Sequence, residues 1–144
     1  SQFVLREPLI FILPKDHPLA KYERIPVKAL NGIDFIIPSA EQSQTLHHTI
    51  LDFAKANGIE FNIVQKVDNI LFHIDSIGMG LGCTILPDYI APLIMDNTVV
   101  RPLDVELPHL DLYISYGKNS HSAAVHQFMV LLMRVFYSDI NREQ

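Results

Sequence analysis

At 144 residues the chain has the length of one domain, enough to bury a core without disulfide or metal staples. A hydrophobic share of 49% excludes a disordered segment, and no apolar run approaches the roughly 18 residues of a membrane span. The formal charge of −5, with Lys and Arg scattered, leaves no basic stripe to neutralise phosphates, so this segment by itself is expected to bind neither DNA nor membrane. The lone Cys83 cannot close an internal disulfide; it sits in a predicted strand, where it reads as a small core residue in a reducing compartment. No signal-peptide pattern opens the chain, and Ser1 stands directly before a strand, as expected of a piece cut from a longer protein.

In chain order, Pro8 to Leu13 is predicted as a strand buried on both faces, after Val4, Leu5 and the interruption Arg6-Glu7-Pro8. Pro14 to Pro18 follows as a turn that includes His17, since proline cannot donate to a ladder. Pro26 to Gly32 fits one helical turn with proline at its start and glycine at its end, and Ile33 to Ile37 is a second short strand. Ser39 with Gln42 three residues on matches a capping box, ahead of a helix whose apolar stripe is Leu46, Ile50, Phe53 and Ala54 and which Gly58 stops. Ile59 to Val67 is the next strand, with Phe61, Ile63 and Val67 partly alternating.

The stretch Val67 to Pro87 combines a helix start, a helix end and a buried strand. Asp68 is the expected N-cap, the helix begins near Asn69, and Ile70, Ile74, Ile77 and Leu81 fall on one helical stripe. Gly78, Gly80 and Gly82 end it, because glycine takes a left-handed C-cap without steric cost, and Cys83 to Leu86 forms a strand closed by Pro87. The run GMGLG superficially matches phosphate-cradling loops, but there a strand comes first and the glycines open a helix. Here the glycines follow a helix C-terminus, whose dipole repels phosphate.

Tyr89 to Ile94 is a short amphipathic helical segment, and Thr98 to Leu103 and Leu110 to Tyr116 are strands, the second alternating as at a sheet edge. From Ser122 onward, Val125, Phe128, Met129, Leu132 and Phe136 make a helical stripe, yet Val130, Leu131, Met133 and Val135 make the other side apolar as well. About six strands and three or four helices in a βαβ-rich order predict an α/β fold: an open, mainly parallel sheet with helices on both faces. In such sheets ligands bind at the carboxyl ends of strands, here where Ile37 meets Ser39 and Val67 meets Asp68.

Chemistry beyond binding finds little support. His47 and His48 are adjacent and point about 100° apart on a helix, and no HExxH or paired CxxC appears, so no metal site is expected. There is no GxSxG elbow and no basic group near Cys83, so an enzyme is not expected either. The turn Pro38-Ser39-Ala40-Glu41-Gln42 survives as a candidate site. Its backbone amides and the helix dipole favour an anionic group such as a carboxylate, with the Ser39 hydroxyl as an added donor or as its own helix cap. Asp68 and Asn69 face the same crevice or cap the second helix.

The run Glu7-Pro8-Leu9-Ile10-Phe11-Ile12-Leu13-Pro14 with His17-Pro18-Leu19-Ala20, then Phe35-Ile36-Ile37, and above all Ile77 to Pro87, resembles the C-terminal effector-binding domain of LysR-type transcriptional regulators. Gly78 and Met79 depart from the alanine-like pair usual there. The resemblance, from about Arg6 to Phe136, implies a type 2 periplasmic-binding-protein-like fold truncated at its N-terminal side. Residues 18–87 would form lobe two, while 3–17 and 88–144 would form hinge strands and part of lobe one, and the DNA-binding winged helix-turn-helix would be absent from this segment. It implies a small-molecule effector, a small organic acid or anion, in the cleft between lobes, met by Pro38, Ser39, Ala40, Asp68 and Asn69 with Gly80 and Thr84 near the floor. It also implies no cofactor, a cytoplasmic regulator that reaches DNA only through the missing domain, and self-association through the Thr45 to Asn57 helix and an apolar lobe-one surface. The rival readings are an exported solute-binding protein of a transport system with the same fold, and an enzyme of that fold such as a prephenate dehydratase relative.

Overall fold

The computed structural model describes residues 2–41, 43–94 and 96–115. Its spine is β1 (Gln2–Pro14), which the interruption at Arg6-Glu7-Pro8 does not break. Instead the strand changes partner there. Residues 2–8 pair with β6 (His109–Ser115), residues 9–12 with β4 (Thr84–Pro87) and residues 12–14 with β5 (Thr98–Val100), all antiparallel. Pro8 stands opposite His109 at the last position of the β6 ladder, where a residue without an N–H does least harm.

The other sheet is the parallel pair β2 (Asp34–Pro38) and β3 (Asn62–Val67), with a register shift between Phe35 and Ile36. The helix α1 (Gln44–Ala56) connects them, as parallel neighbours require a crossover. The expectation of a mainly parallel sheet is therefore corrected: among the described residues one ladder is parallel and the three made by β1 are antiparallel. The physical reason lies after α2 (Ile70–Gly78). The chain returns beside β2 in parallel only at Cys83, bonded to Asp34 O and Ile36 N, then leaves to join β1.

Both helices bury the stripe their periodicity defines. Leu46, Ile50, Phe53 and Ala54 of α1, and Ile74 and Ile77 of α2, are buried in a core that also holds Phe11, Leu13, Phe35, Ile36 and Leu86. Phe35 and Phe61 stack in it with ring centroids 4.1 Å apart. Leu81 does not belong to the stripe; it lies past the end of α2 and is 46% exposed. Each helix stops in the same hydrogen-bond pattern. After α1, Gly58 N donates to Lys55 O and Ile59 N to Ala54 O; after α2, Gly80 N donates to Ile77 O and Leu81 N to Ser76 O. Gly58 and Gly80 have φ of +65° and +81°, so the left-handed residue is glycine in both.

The helix starts differ from expectation. Ser43, not Ser39, caps α1, its Oγ accepting from Leu46 N at 3.2 Å, because the chain needs residues 39–42 to cross from strand to helix. Asn69, not Asp68, caps α2, its Oδ1 accepting from Leu71 N at 2.9 Å and Phe72 N at 3.1 Å. The Pro26 turn is a 3-10 helix at Val27–Leu30, a second one spans Pro18–Lys21 with His17 Nδ1 capping Leu19 N, and the segment after β4 is a third, Asp88–Leu93. The strand predicted to Leu103 ends at Val100. The helix expected from Ser122 lies outside the described residues.

Cys83 is buried, and burial beside Asp34 pushes its thiol up to about 12, which leaves it neutral and unreactive at ordinary pH. Its neighbour Gly82 is needed for closeness: a Cβ there would stand 2.9 Å from the Asp34 carbonyl oxygen, a backbone atom that cannot rotate away. Gly82→Ala is expected to destabilise the fold by about 1–3 kcal/mol through overpacking, read as a lower urea midpoint at unchanged m-value.

Candidate ligand-binding site

Because β2 and β3 are parallel, their carboxyl ends emerge side by side, with Pro38 paired to Val67. Ser39 N donates to Val67 O at 2.9 Å and carries the ladder one residue past the strand. The Ser39 hydroxyl then donates to Asp68 Oδ1 at 2.5 Å, a charge-assisted bond that joins the two strand-to-helix turns. Ser39 is buried, while Ala40 and Asp68 are exposed beside it. The turn is held from behind by Ser43 N, which donates to Ser39 O at 3.1 Å.

A further clamp comes from His47 on α1, whose Nδ1 lies 2.8 Å from Pro38 O. A carbonyl only accepts, so Nδ1 carries the hydrogen and the tautomer is set by the turn. In the sequence this histidine stands out only as one not expected to bind metal. Its signal was position: it stands one helical turn after the Ser43 cap, where a side chain leans back over the helix start.

Of the predicted site residues, the structure brings Pro38, Ser39, Ala40, Asp68 and Asn69 together and separates the other two. Asn69 directs its side-chain oxygen to its own helix, so its role is the cap. Gly80 sits beyond the far end of the nine-residue α2, roughly 14 Å along the axis from Asn69, where its φ serves the helix stop. Thr84 is fully buried, its hydroxyl donating to Ile36 O at 2.7 Å. Gly80 and Thr84 thus stand apart from the two turns: helix rise separates the first and the core encloses the second.

Thr84 belongs to a buried polar knot with His73 of α2. His73 Nε2 is 3.0 Å from Ile36 O and 2.8 Å from Thr84 Oγ1, so Nε2 carries the hydrogen. Its Nδ1 is buried with no hydrogen-bond partner among the described residues. Burial pushes the imidazole down to about 4, against the opposing pull of the Ile36 carbonyl, so the ring is neutral. Among the described residues no group of three or more His, Cys, Asp and Glu is placed to hold a metal ion, and no helix is long and apolar enough to cross a membrane.

The site thus stands on a β2-α1-β3-α2 unit whose two strand ends lie side by side, next to a long strand with antiparallel partners. The LysR substrate binding domain family matches residues 1–136, and the chain belongs to that family. It is 31% identical over 126 residues to the Hca operon transcriptional activator HcaR of Escherichia coli K12, covering 88% of this chain and 43% of HcaR. The chain thus spans under half the length of that relative. Its fold is similar to the regulatory domain of CcmR from Synechocystis PCC6803, solved in complex with 2-PG, with a TM-score of 0.68 at 21% identity over 94% of this chain and 67% of that one. It is also similar to the effector binding domain of QuiR in complex with shikimate, with a TM-score of 0.66 at 20% identity over 90% of this chain and 64% of that one.

The buried imidazole makes stability depend on pH with a definite sign. The His73 folded value of about 4 lies below the 6.5 of an ordinary histidine, so the unfolded chain takes up the proton first as pH falls. The contribution is complete above about pH 6.5 and is lost between there and about pH 4, on the order of 3 kcal/mol in all. Urea unfolding followed across that range should show the decline, and His73→Gln, which keeps a donor without titrating, should lack this part of it.

Proposed function

We propose that this chain is the small-molecule sensing domain of a LysR-type DNA-binding transcriptional regulator, and that its effector sits at the joined turns Pro38-Ser39-Ala40 and Asp68-Asn69. The observation that carries the reading is the Ser39 to Asp68 hydrogen bond, which ties together two strand ends in the place where open α/β sheets bind ligands. The kinship with HcaR, a transcriptional activator, supports the regulator over an exported binding protein or an enzyme.

The effector is a small organic acid. Backbone amides ahead of α1 offer its carboxylate donors at the positive end of a helix dipole, and the shikimate bound by QuiR is an acid of that kind. The Ser39 hydroxyl is not an added donor in this scheme, since its proton is committed to Asp68. Ser39 instead ties Asp68 Oδ1 back to the strand end, so that the Asp68 carboxylate meets a hydroxyl of the acid and not its carboxylate, and His47 holds the Pro38 carbonyl.

In this reading residues 18–87 are one lobe, and 3–17 and 88–144 are hinge strands and part of the other. Effector binding between lobes shifts their arrangement and repositions DNA-binding domains tethered at the N-terminal side, in the cytoplasm. Self-association runs through the Thr45 to Asn57 helix, where Leu51 is an exposed apolar side chain. Binding alone suffices for this role, with no reaction and no cofactor.

The two serines separate binding from folding. In the full-length regulator, with the acid found by a thermal-shift screen, Ser39→Ala is expected to weaken effector affinity about tenfold, roughly 1.4 kcal/mol, while changing the melting temperature little. Ser43→Ala should do the reverse, costing about 1 kcal/mol of stability and leaving affinity intact. Calorimetric titration of both variants decides: unchanged affinity in Ser39→Ala with a melting temperature lowered as in Ser43→Ala would reduce Ser39 to a structural residue.

A further inference from the structure

The long strand β1 is met by β5 at Ile12, opposite Val100, and by β6 at Pro8, opposite His109. The whole segment 101–108 therefore stands against only Leu9, Ile10 and Phe11, and it loops away from the strand. Its far point is tied down elsewhere: Leu103 bridges Ile25, with Ile25 N donating to Pro102 O and Asp104 N to Ile25 O, both at 2.9 Å. Between this loop and β1 a hollow of about 370 Å³ remains, within the range of small-ligand cavities. None of its lining residues belongs to the Ser39 and Asp68 turns.

Its walls have two characters. Leu9, Pro102 and Leu107 supply apolar surface, and the lining also includes the basic residues Arg24 and Arg101. Both are fixed by backbone carbonyls: Arg24 Nη1 donates to Leu103 O at 2.9 Å, and Arg101 donates through Nε to Ala20 O and through Nη1 to Val100 O, both at 3.1 Å. Those bonds use one of the five N–H donors of Arg24 and two of the five of Arg101. Among the described residues neither group has a carboxylate within ion-pair distance. Two arginines with spare N–H donors, and no ion pair among the described residues, suit the planar fork of a carboxylate. Glu106, also lining the hollow, opposes a second negative charge.

We propose that this hollow is a second small-molecule site, distinct from the turn site, which takes a monocarboxylate with an apolar body. The carboxylate lies on Arg24 and Arg101, and the body packs on Leu9, Pro102 and Leu107. A ligand there joins the 101–108 loop to β1 between its partners β5 and β6.

Hexanoate and hexanol are the test probes, titrated into isotope-labelled protein at neutral pH with backbone amide shifts as the readout. Hexanoate should shift Leu9, Leu103 and Leu107 with a dissociation constant on the order of 1 mM or below, and hexanol should bind at least about tenfold more weakly. Binding should be lost in the Arg24→Gln, Arg101→Gln double variant and retained in Ser39→Ala. Should the double variant fail to fold, Val105→Trp fills the hollow while keeping both guanidiniums, and it should also abolish binding. Equal binding of the two probes, no shifts at these residues, persistence in the folded double variant or in Val105→Trp, or loss in Ser39→Ala would each overturn the proposal.

Discussion

One carbonyl oxygen, that of Ile36, decides how the two sheets of this domain are divided. In a continuing parallel ladder it would accept from the strand that begins at Cys83, since Ile36 N already donates to Cys83 O. That strand instead turns away to pair with β1, and a buried acceptor without a donor would cost free energy comparable to a lost hydrogen bond. Thr84 Oγ1 and His73 Nε2 fill the gap. Two side chains, from β4 and α2, thus stand in for a missing backbone partner, and the chain can leave one sheet for the other.

The candidate site depends on that division. With β4 gone to β1, the ends of β2 and β3 remain side by side and project their turns together, while α2 is pinned to β2 through His73. The Ser39 and Asp68 bond closes the arrangement at the surface, as the His73 knot closes it inside. The same knot takes up the Thr84 hydroxyl, which lies fully buried beneath the strand ends and donates to Ile36 O.

Much of this was legible from spacing. Apolar stripes placed α1 and most of α2, and the glycines at 58 and 80 marked both helix ends, because a left-handed backbone at a helix stop is a local requirement that glycine meets alone. The caps were misread by one position at Asn69 and by four at Ser43. Ser39 and Asp68 have side chains equally able to cap, and only the path of the chain between strand and helix selects among neighbours with the same chemistry. Leu81 failed as a stripe member for a related reason: periodicity has no knowledge of where a helix stops, and the Gly80 turn swings that residue outward.

By itself, then, the order of residues determined the elements, the core-facing side of each helix, the two strand ends that make up the candidate site, and the family resemblance. Those properties are local, since they follow from backbone conformational preference and from which face of one element is apolar. Only the tertiary structure decided that β1 serves three antiparallel partners in succession, that the hydroxyl of Ser39 belongs to Asp68, and that a neutral histidine holds a strand carbonyl in the core. Each of these is a choice among distant partners of similar chemistry. Such choices are settled by which buried polar groups must be satisfied once the whole core has closed.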